Sequence, residues 1–146
     1  MKILVNGVFD LFHEGHKHIL TIASEWAGNN GEVRVLINSD KSVRSLKGPN
    51  RPTDSFDRRL RNVINFLSYK DSQKKHSTSS VSWNTFTEEY ELGHLINLFE
   101  PDLILKGSDY KDVTEVRGND KWPVCILPRL KDANGNDIST TNKLGE

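Results

Sequence analysis

Residues 5–20 read VNGVFDLFHEGHKHIL, and they follow a short apolar run, Ile3 to Val5, that has the look of a buried first strand. The run stops at Asn6-Gly7, which are turn formers, and an apolar-periodic segment begins near Gly15 or His16. A strand, a glycine-containing loop and a helix start together aim backbone N–H groups and the positive end of a helix at an anion. This loop carries two histidines, His13 and His16, with only Glu14 and Gly15 between them. Gly15 has no side chain to fill the gap, so a phosphate can approach the backbone with an imidazole on either side. The stretch is therefore expected to be a nucleotide phosphate site. Two plainer readings stand beside it. In one the histidines simply cap a helix and add polar surface, and in the other His13, His16 and His18 bind a metal. The metal reading has only Asp10 and Glu14 as nearby carboxylates and no cysteine in ligand spacing.

Outward from this junction, His16 to Ala27 is expected to be helical, with Ile19, Leu20, Ile22, Ala23 and Trp26 at helical spacing. Gly28-Asn29-Asn30-Gly31 ends it with residues that tolerate positive φ. Val33 to Ile37 then forms a second strand, which completes a right-handed parallel βαβ unit. Lys41 to Pro52 reads as a loop, or a short helix plus loop, because Gly48-Pro49 and Pro52 break it. Thr53 or Asp54 is placed to cap a helix to about Leu67, with Phe56, Leu60, Val63, Ile64 and Leu67 on one face. Lys70 to Ser80 is polar and low in complexity, and is expected to be an exposed loop. Val81 to Trp83 is a candidate short strand, Glu88 to Phe99 a helix, Leu103 to Leu105 a buried strand and Val124 to Leu127 a final strand. Lys131 to Asp137 is a turn, and Ser139-Thr140-Thr141 opens a last helix of barely one turn. Alternating strands and helices predict an α/β fold: a single doubly wound, Rossmann-like parallel sheet with helices on both faces. Its ligand should sit beyond the carboxyl ends of the strands.

At 146 residues the chain is expected to form one domain, residues 1–146, large enough to bury a core. Twenty basic and twenty acidic residues cancel, so no bulk attraction to nucleic acid or to an anionic membrane is expected. The single cysteine, Cys125, excludes an internal disulfide and a multi-cysteine zinc site, and its apolar neighbours suggest a buried strand position. No apolar run approaches membrane-spanning length and no signal peptide is evident, so a soluble, cytoplasmic protein is expected.

The pattern Gly7-x-Phe9-Asp10-x-x-His13-x-Gly15-His16 resembles the signature of the cytidylyltransferase-like nucleotidyltransferases. That group includes glycerol-3-phosphate cytidylyltransferases and the adenylyltransferases that make ADP-heptose. Further runs extend the likeness over nearly the whole chain. Lys47-Gly48-Pro49-Asn50-Arg51-Pro52, with Arg59 seven residues later, resembles the heptose adenylyltransferase pattern, as does Lys106-Gly107-Ser108-Asp109-Tyr110. Ser139-Thr140-Thr141 matches a family S-T-T, and Leu127-Pro128-Arg129 resembles a run in the glycerol-3-phosphate enzymes. Read without the resemblance, these would be a solvated basic loop, a strand-to-loop turn and a helix cap. No Walker A, G-x-G-x-x-G or G-x-S-x-G pattern competes.

The resemblance implies an enzyme that moves a nucleotidyl group from ATP or CTP to a small phosphorylated sugar or alcohol and releases pyrophosphate. His13, His16 and Lys47 would be the catalytic residues, stabilising charge on the triphosphate. Gly7, Val8, Phe9, Asp10, Gly15, Lys106, Gly107, Asp109, Ser139, Thr140 and Thr141 would bind the nucleotide. Arg59 and Arg129 would hold substrate or phosphate oxygens, as arginine does bidentately. Asp109 would either hold a basic side chain or, with Asp10, orient Mg²⁺, the implied cofactor. The heptose-type runs favour adenylyl transfer to a heptose-1-phosphate-like sugar, and Arg129 keeps cytidylyl transfer to glycerol 3-phosphate open. A homodimer is common in such families. A binding module without turnover is the alternative from another class.

Overall fold

The computed structural model describes residues 1–74, 79–131 and 133–135. Strand β1 (Lys2–Gly7) leads through a loop to helix α1 (Glu14–Ala27), and strand β2 (Glu32–Asn38) returns beside it. Helices α2 (Asp40–Lys47) and α3 (Phe56–Ser72), strand β3 (Ser80–Phe86) and helix α4 (Glu89–Phe99) follow. Strand β4 (Leu103–Lys106), a 3₁₀ turn (Val113–Glu115) and strand β5 (Val124–Ile126) complete the described elements. The five strands form one sheet in the order β3-β2-β1-β4-β5, and each neighbouring pair is parallel. The chain winds outward from β1 to β3, then crosses back to the other side of β1. This is the expected doubly wound arrangement, and its topological switch point lies between β1 and β4.

Strand alternation divides the core. Ile3 and Val5 face α1 and α3, where they pack with Leu20, Val63 and Leu105, while Leu4 faces α4 and packs with Leu36, Leu92 and Ile104. Both faces are buried, as a parallel sheet requires, so β1 reads as an uninterrupted apolar run.

Several boundaries differ from expectation for identifiable reasons. Helix α1 begins at Glu14 rather than at Gly15 or His16, because His13 is its N-cap. The segment after β2 is the short-helix alternative, with Ser39 accepting a hydrogen bond from the Ser42 amide. The cap of α3 is Ser55, not Thr53 or Asp54, whose amides instead donate to the Asp10 carboxylate and are held in the loop. Helix α3 also continues past Leu67 to Ser72, and β3 runs seven residues from Ser80. The expected polar loop is correspondingly shorter, and its described ends are tied down. Lys74 donates to the Ser24 carbonyl, and the Asp71 carboxylate accepts from the Ser79 amide. Cys125 is half-buried in β5. Among the described residues no helix is long and apolar enough to cross a membrane.

Candidate active site

A cleft of about 720 Å³ opens over the carboxyl ends of the strands at the switch point. From the β1–α1 junction it is lined by Gly7, Val8, Phe9, Asp10, Gly15 and the two histidines, His13 and His16. Lys47, in the last turn of α2, borders it from the side, and Lys106, Gly107, Asp109 and Arg129 close the β4–β5 wall. Segments far apart in sequence thus converge on one cavity. Ser139, Thr140 and Thr141 lie outside the described residues.

The histidines build the start of α1 themselves. The Gly15 amide donates to His13 Nδ1 at 3.1 Å, and the His13 amide donates to His16 Nδ1 at 3.2 Å. The two rings stack with centroids 3.8 Å apart and planes 19° from parallel. This is a capping box made of imidazoles, where hydroxyl and carboxylate side chains are usual. It corrects the sequence expectation in one respect. The amides of His13 and Gly15 are taken by ring nitrogens, so they are not donors reserved for a phosphate. Because each Nδ1 accepts, a neutral ring carries its proton on Nε2, and that atom is the donor suited to a phosphate oxygen. Phe9 and Leu11 adopt left-handed backbone, φ 57° and 50°, on either side of Asp10. That turn swings the Phe9 ring beneath His16, with centroids 5.4 Å apart. Gly7 leaves the room: a Cβ there would sit 3.3 Å from the Phe9 ring.

Asp10 borders the cleft, but its carboxylate is a tether. It accepts from the Thr53 and Asp54 amides, both at 2.8 Å, and pairs with Arg51 Nε at 3.2 Å. Burial alone would push its pKa up. The Asp54 and Thr53 amides and Arg51 outweigh that and hold it below the ordinary aspartate value. Arg59 requires a correction. Expected to meet substrate or phosphate, it is fully buried and lies outside the cleft lining. Its guanidinium donates to the carbonyls of Asp54, Val8 and Asn38 and pairs with Asp40 at 2.7 Å. It therefore fastens the β1 loop, the end of β2 and the start of α2 to α3.

On the opposite wall Lys106 is buried, with Nζ 3.0 Å from the Asn6 carbonyl and 4.6 Å from the centre of the Tyr110 ring. Burial drives its pKa down from 10.5 to about 8, against the pull of Asp109 and Glu89. Burial, with the carboxylates of Glu89, Asp109 and Glu115, raises the Tyr110 phenol. Asp109 pairs with Arg129 at 2.8 Å, which is the positioning alternative of its two expected roles, and Ser108 accepts from Arg129 Nε. Among the described residues no three or more metal-ligating side chains come together, so the three-histidine metal reading finds no cage. Asn6, Asn38, Glu89 and Arg117 also line the cleft and were not singled out from sequence. For the two asparagines a signal existed: each follows a strand core in the alternation that faces α4.

The model of one family, described as cytidylyltransferase-like, matches residues 4–143. The bifunctional protein HldE of Blochmanniella floridana is 32% identical over 148 residues, covering 99% of this chain and 28% of that protein. HldE of Haemophilus influenzae (strain PittGG) is 31% identical over 141 residues, covering 96% of this chain and 24% of its own length. The chain thus spans roughly a quarter of the length of these curated relatives. Among solved structures, the lipopolysaccharide core biosynthesis protein from Thermoplasma volcanium GSS1 aligns with a TM-score of 0.56 and 23% identity, covering 88% of this chain and 94% of that one. A universal stress protein from Archaeoglobus fulgidus aligns with a TM-score of 0.52 and 16% identity, covering 86% and 92%. At such identities both structures speak for the fold alone.

Proposed function

This chain belongs to the cytidylyltransferase-like family of nucleotidyltransferases, and from that premise we propose that it transfers an adenylyl group from ATP to a heptose-1-phosphate-like sugar. A phosphate oxygen of the acceptor forms the new bond to the α-phosphorus while the α–β bridging bond breaks and pyrophosphate leaves. The acceptor phosphate is already ionised at neutral pH, so the step needs no proton acceptor and no covalent nucleophile from the protein. What the protein must supply is alignment and stabilisation of charge on the α-phosphate oxygens.

The observation that carries this reading is the stacked histidine pair. Each Nδ1 is fixed by a backbone amide, so both rings are held in one orientation and one neutral tautomer before any substrate arrives. Preorganised donors of this kind stabilise developing charge without reorganising during the reaction. Lys47, Lys106 and Arg129 contribute positive charge to the cleft lining. Mg²⁺ would belong to the substrate. Asp10 is taken by Arg51 and by the Leu11, Thr53 and Asp54 amides, and Asp109 by Arg129, so the metal would be held chiefly by polyphosphate oxygens and water. Bound so, it would spread the charge of the polyphosphate.

Cytidylyl transfer to glycerol 3-phosphate is the second reading. Its support is Arg129, whose L-P-R run lines the cleft. The test is pyrophosphate release in the four pairings of ATP or CTP with heptose 1-phosphate or glycerol 3-phosphate, each with Mg²⁺. Release with ATP and the heptose is expected. Release only with CTP and glycerol 3-phosphate selects the second reading, and no release in any pairing leaves a nucleotide-binding module.

A further inference from the structure

The cleft straddles the sheet, and its two halves have different chemistry. The histidines lie on the side of α1. On the side of α4, the apolar core of Leu4, Leu36 and Ile104 gives way, one alternation further along β1, β2 and β4, to Asn6, Asn38 and Lys106. Glu89, in the first turn of α4, and Arg117, after the 3₁₀ turn, face each other across the mouth of this half at 3.2 Å.

Two features separate this pair from an ordinary surface contact. First, an acidic residue in the opening turn of a helix is normally explained by capping and the helix dipole. In α4 that work is done by Glu88 and Glu91, which form the capping box, while Glu89 turns towards the cleft. Second, Arg117 lies across Gly93, one helical turn beyond Glu89. A Cβ at Gly93 would meet Arg117 Cδ at 3.6 Å, so anything larger than alanine would displace the arginine.

We propose that Glu89 and Arg117 are specificity-determining residues that read vicinal hydroxyls of the acceptor. The inference rests on the nucleotidyl-transfer reading and deepens it. A carboxylate accepts two hydroxyl protons side by side, and a guanidinium presents two parallel donors to the hydroxyl oxygens. With side chains 65% and 48% exposed, the pair is weak as an ion pair and opens for a ligand at little cost. A cationic headgroup is disfavoured because Arg117 neutralises Glu89 and Lys106 lies beneath. An apolar one would leave Asn6, Glu89 and Arg117 desolvated.

The test is steady-state pyrophosphate release by the full chain, varying acceptor and nucleotide in turn. The variants are Glu89→Gln, Arg117→Met, their combination, and Gly93→Leu, which displaces Arg117 without changing charge. The expected result is an acceptor KM raised about tenfold or more in each, with nucleotide KM within about twofold of wild type. The double variant should be little worse than the worse single one, because the two groups act together. Deoxygenating the acceptor at one hydroxyl should weaken wild type and leave the double variant unaffected. An unchanged acceptor KM, or an equal rise in both KM values, overturns the proposal. A wild-type preference for phosphocholine over sugar phosphates overturns it too, while leaving nucleotidyl transfer standing. Absence of release with every acceptor and both nucleotides overturns the transfer reading, and this proposal with it.

Discussion

His16 uses its two ring nitrogens differently, and the difference can be tested. Nδ1 accepts the His13 amide and so belongs to the helix start, whereas Nε2 is assigned to the substrate. Asparagine offers an acceptor near the Nδ1 position and nothing near Nε2. His16→Asn should therefore melt within about 1 kcal/mol of wild type yet lose about two to three orders of magnitude in kcat, the usual loss for one transition-state donor. His16→Ala should lose both. An asparagine variant with near-normal turnover would remove Nε2 from the chemistry. Arg59 is the opposite case, a charged group buried outside the cleft lining. Its removal as Arg59→Met takes the donor from three carbonyls around a fully buried side chain, and from Asp40, whose carboxylate is partly exposed. A loss on the order of 3 kcal/mol or more is expected in urea unfolding, a large part of a domain's usual stability. If the variant instead unfolds like wild type and only the acceptor KM rises, Arg59 contacts substrate after all.

At the scale of the element, β4 ends in a buried lysine, which gives the fold a pH dependence of definite sign. The Lys106 pKa is depressed to about 8 in the folded chain, while the unfolded chain keeps a value near 10.5. Between those values the unfolded state binds more protons, so stability should rise with pH across this window, by on the order of 3 kcal/mol in all. Lys106→Met should remove that rise. Comparing the two chains in urea at pH 7, 8 and 9 tests it before the Tyr110 phenol begins to ionise. Parallel curves for the two would show that Lys106 titrates normally. The same element shows what sequence conveys and what it hides. The periodicity of α1, α3 and α4, and the apolar run of β1, are legible because burial imposes a regular spacing. Arg59 was assigned to substrate or phosphate because it falls on the later arginine of the family pattern, and an arginine beside a basic loop suits phosphate oxygens. Only the three carbonyls brought to it by other segments make its burial tolerable, and that convergence has no local signal. The Ser55 cap was missed for a similar reason, since the amides that exclude Thr53 and Asp54 from the role bind a carboxylate more than forty residues away. The strand, loop and helix start of the β1–α1 junction were legible because their turn and cap residues are contiguous, whereas the capture of the His13 and Gly15 amides by the rings was not.

For the whole molecule, zero net charge and a cleft lined by both basic and acidic side chains lead to a prediction about nucleotide binding. The chain has no overall field to draw a polyanion, so affinity must come from the cleft, and binding must stabilise the fold that builds it. The cleft is assembled from the β1 loop, the end of α2 and the segments after β4 and β5. These meet only in the native state, so the unfolded chain should not bind nucleotide appreciably. Nucleotide at about a hundred times its Kd should then add about 2.7 kcal/mol, which for a chain of this size is a rise of several degrees in Tm. His16→Asn decides what kind of interaction is involved. If Nε2 acts mainly on charge that develops during transfer, the variant should keep most of the nucleotide-induced rise in Tm while losing turnover. If the ground-state triphosphate relies on it equally, rise and turnover should fall together. Thermal melts of both chains with Mg–ATP and with Mg–CTP separate these outcomes. The larger rise in wild type also ranks the two nucleotides without assuming an acceptor. A chain that melts identically with and without either nucleotide would contradict the assignment of this cleft to a triphosphate.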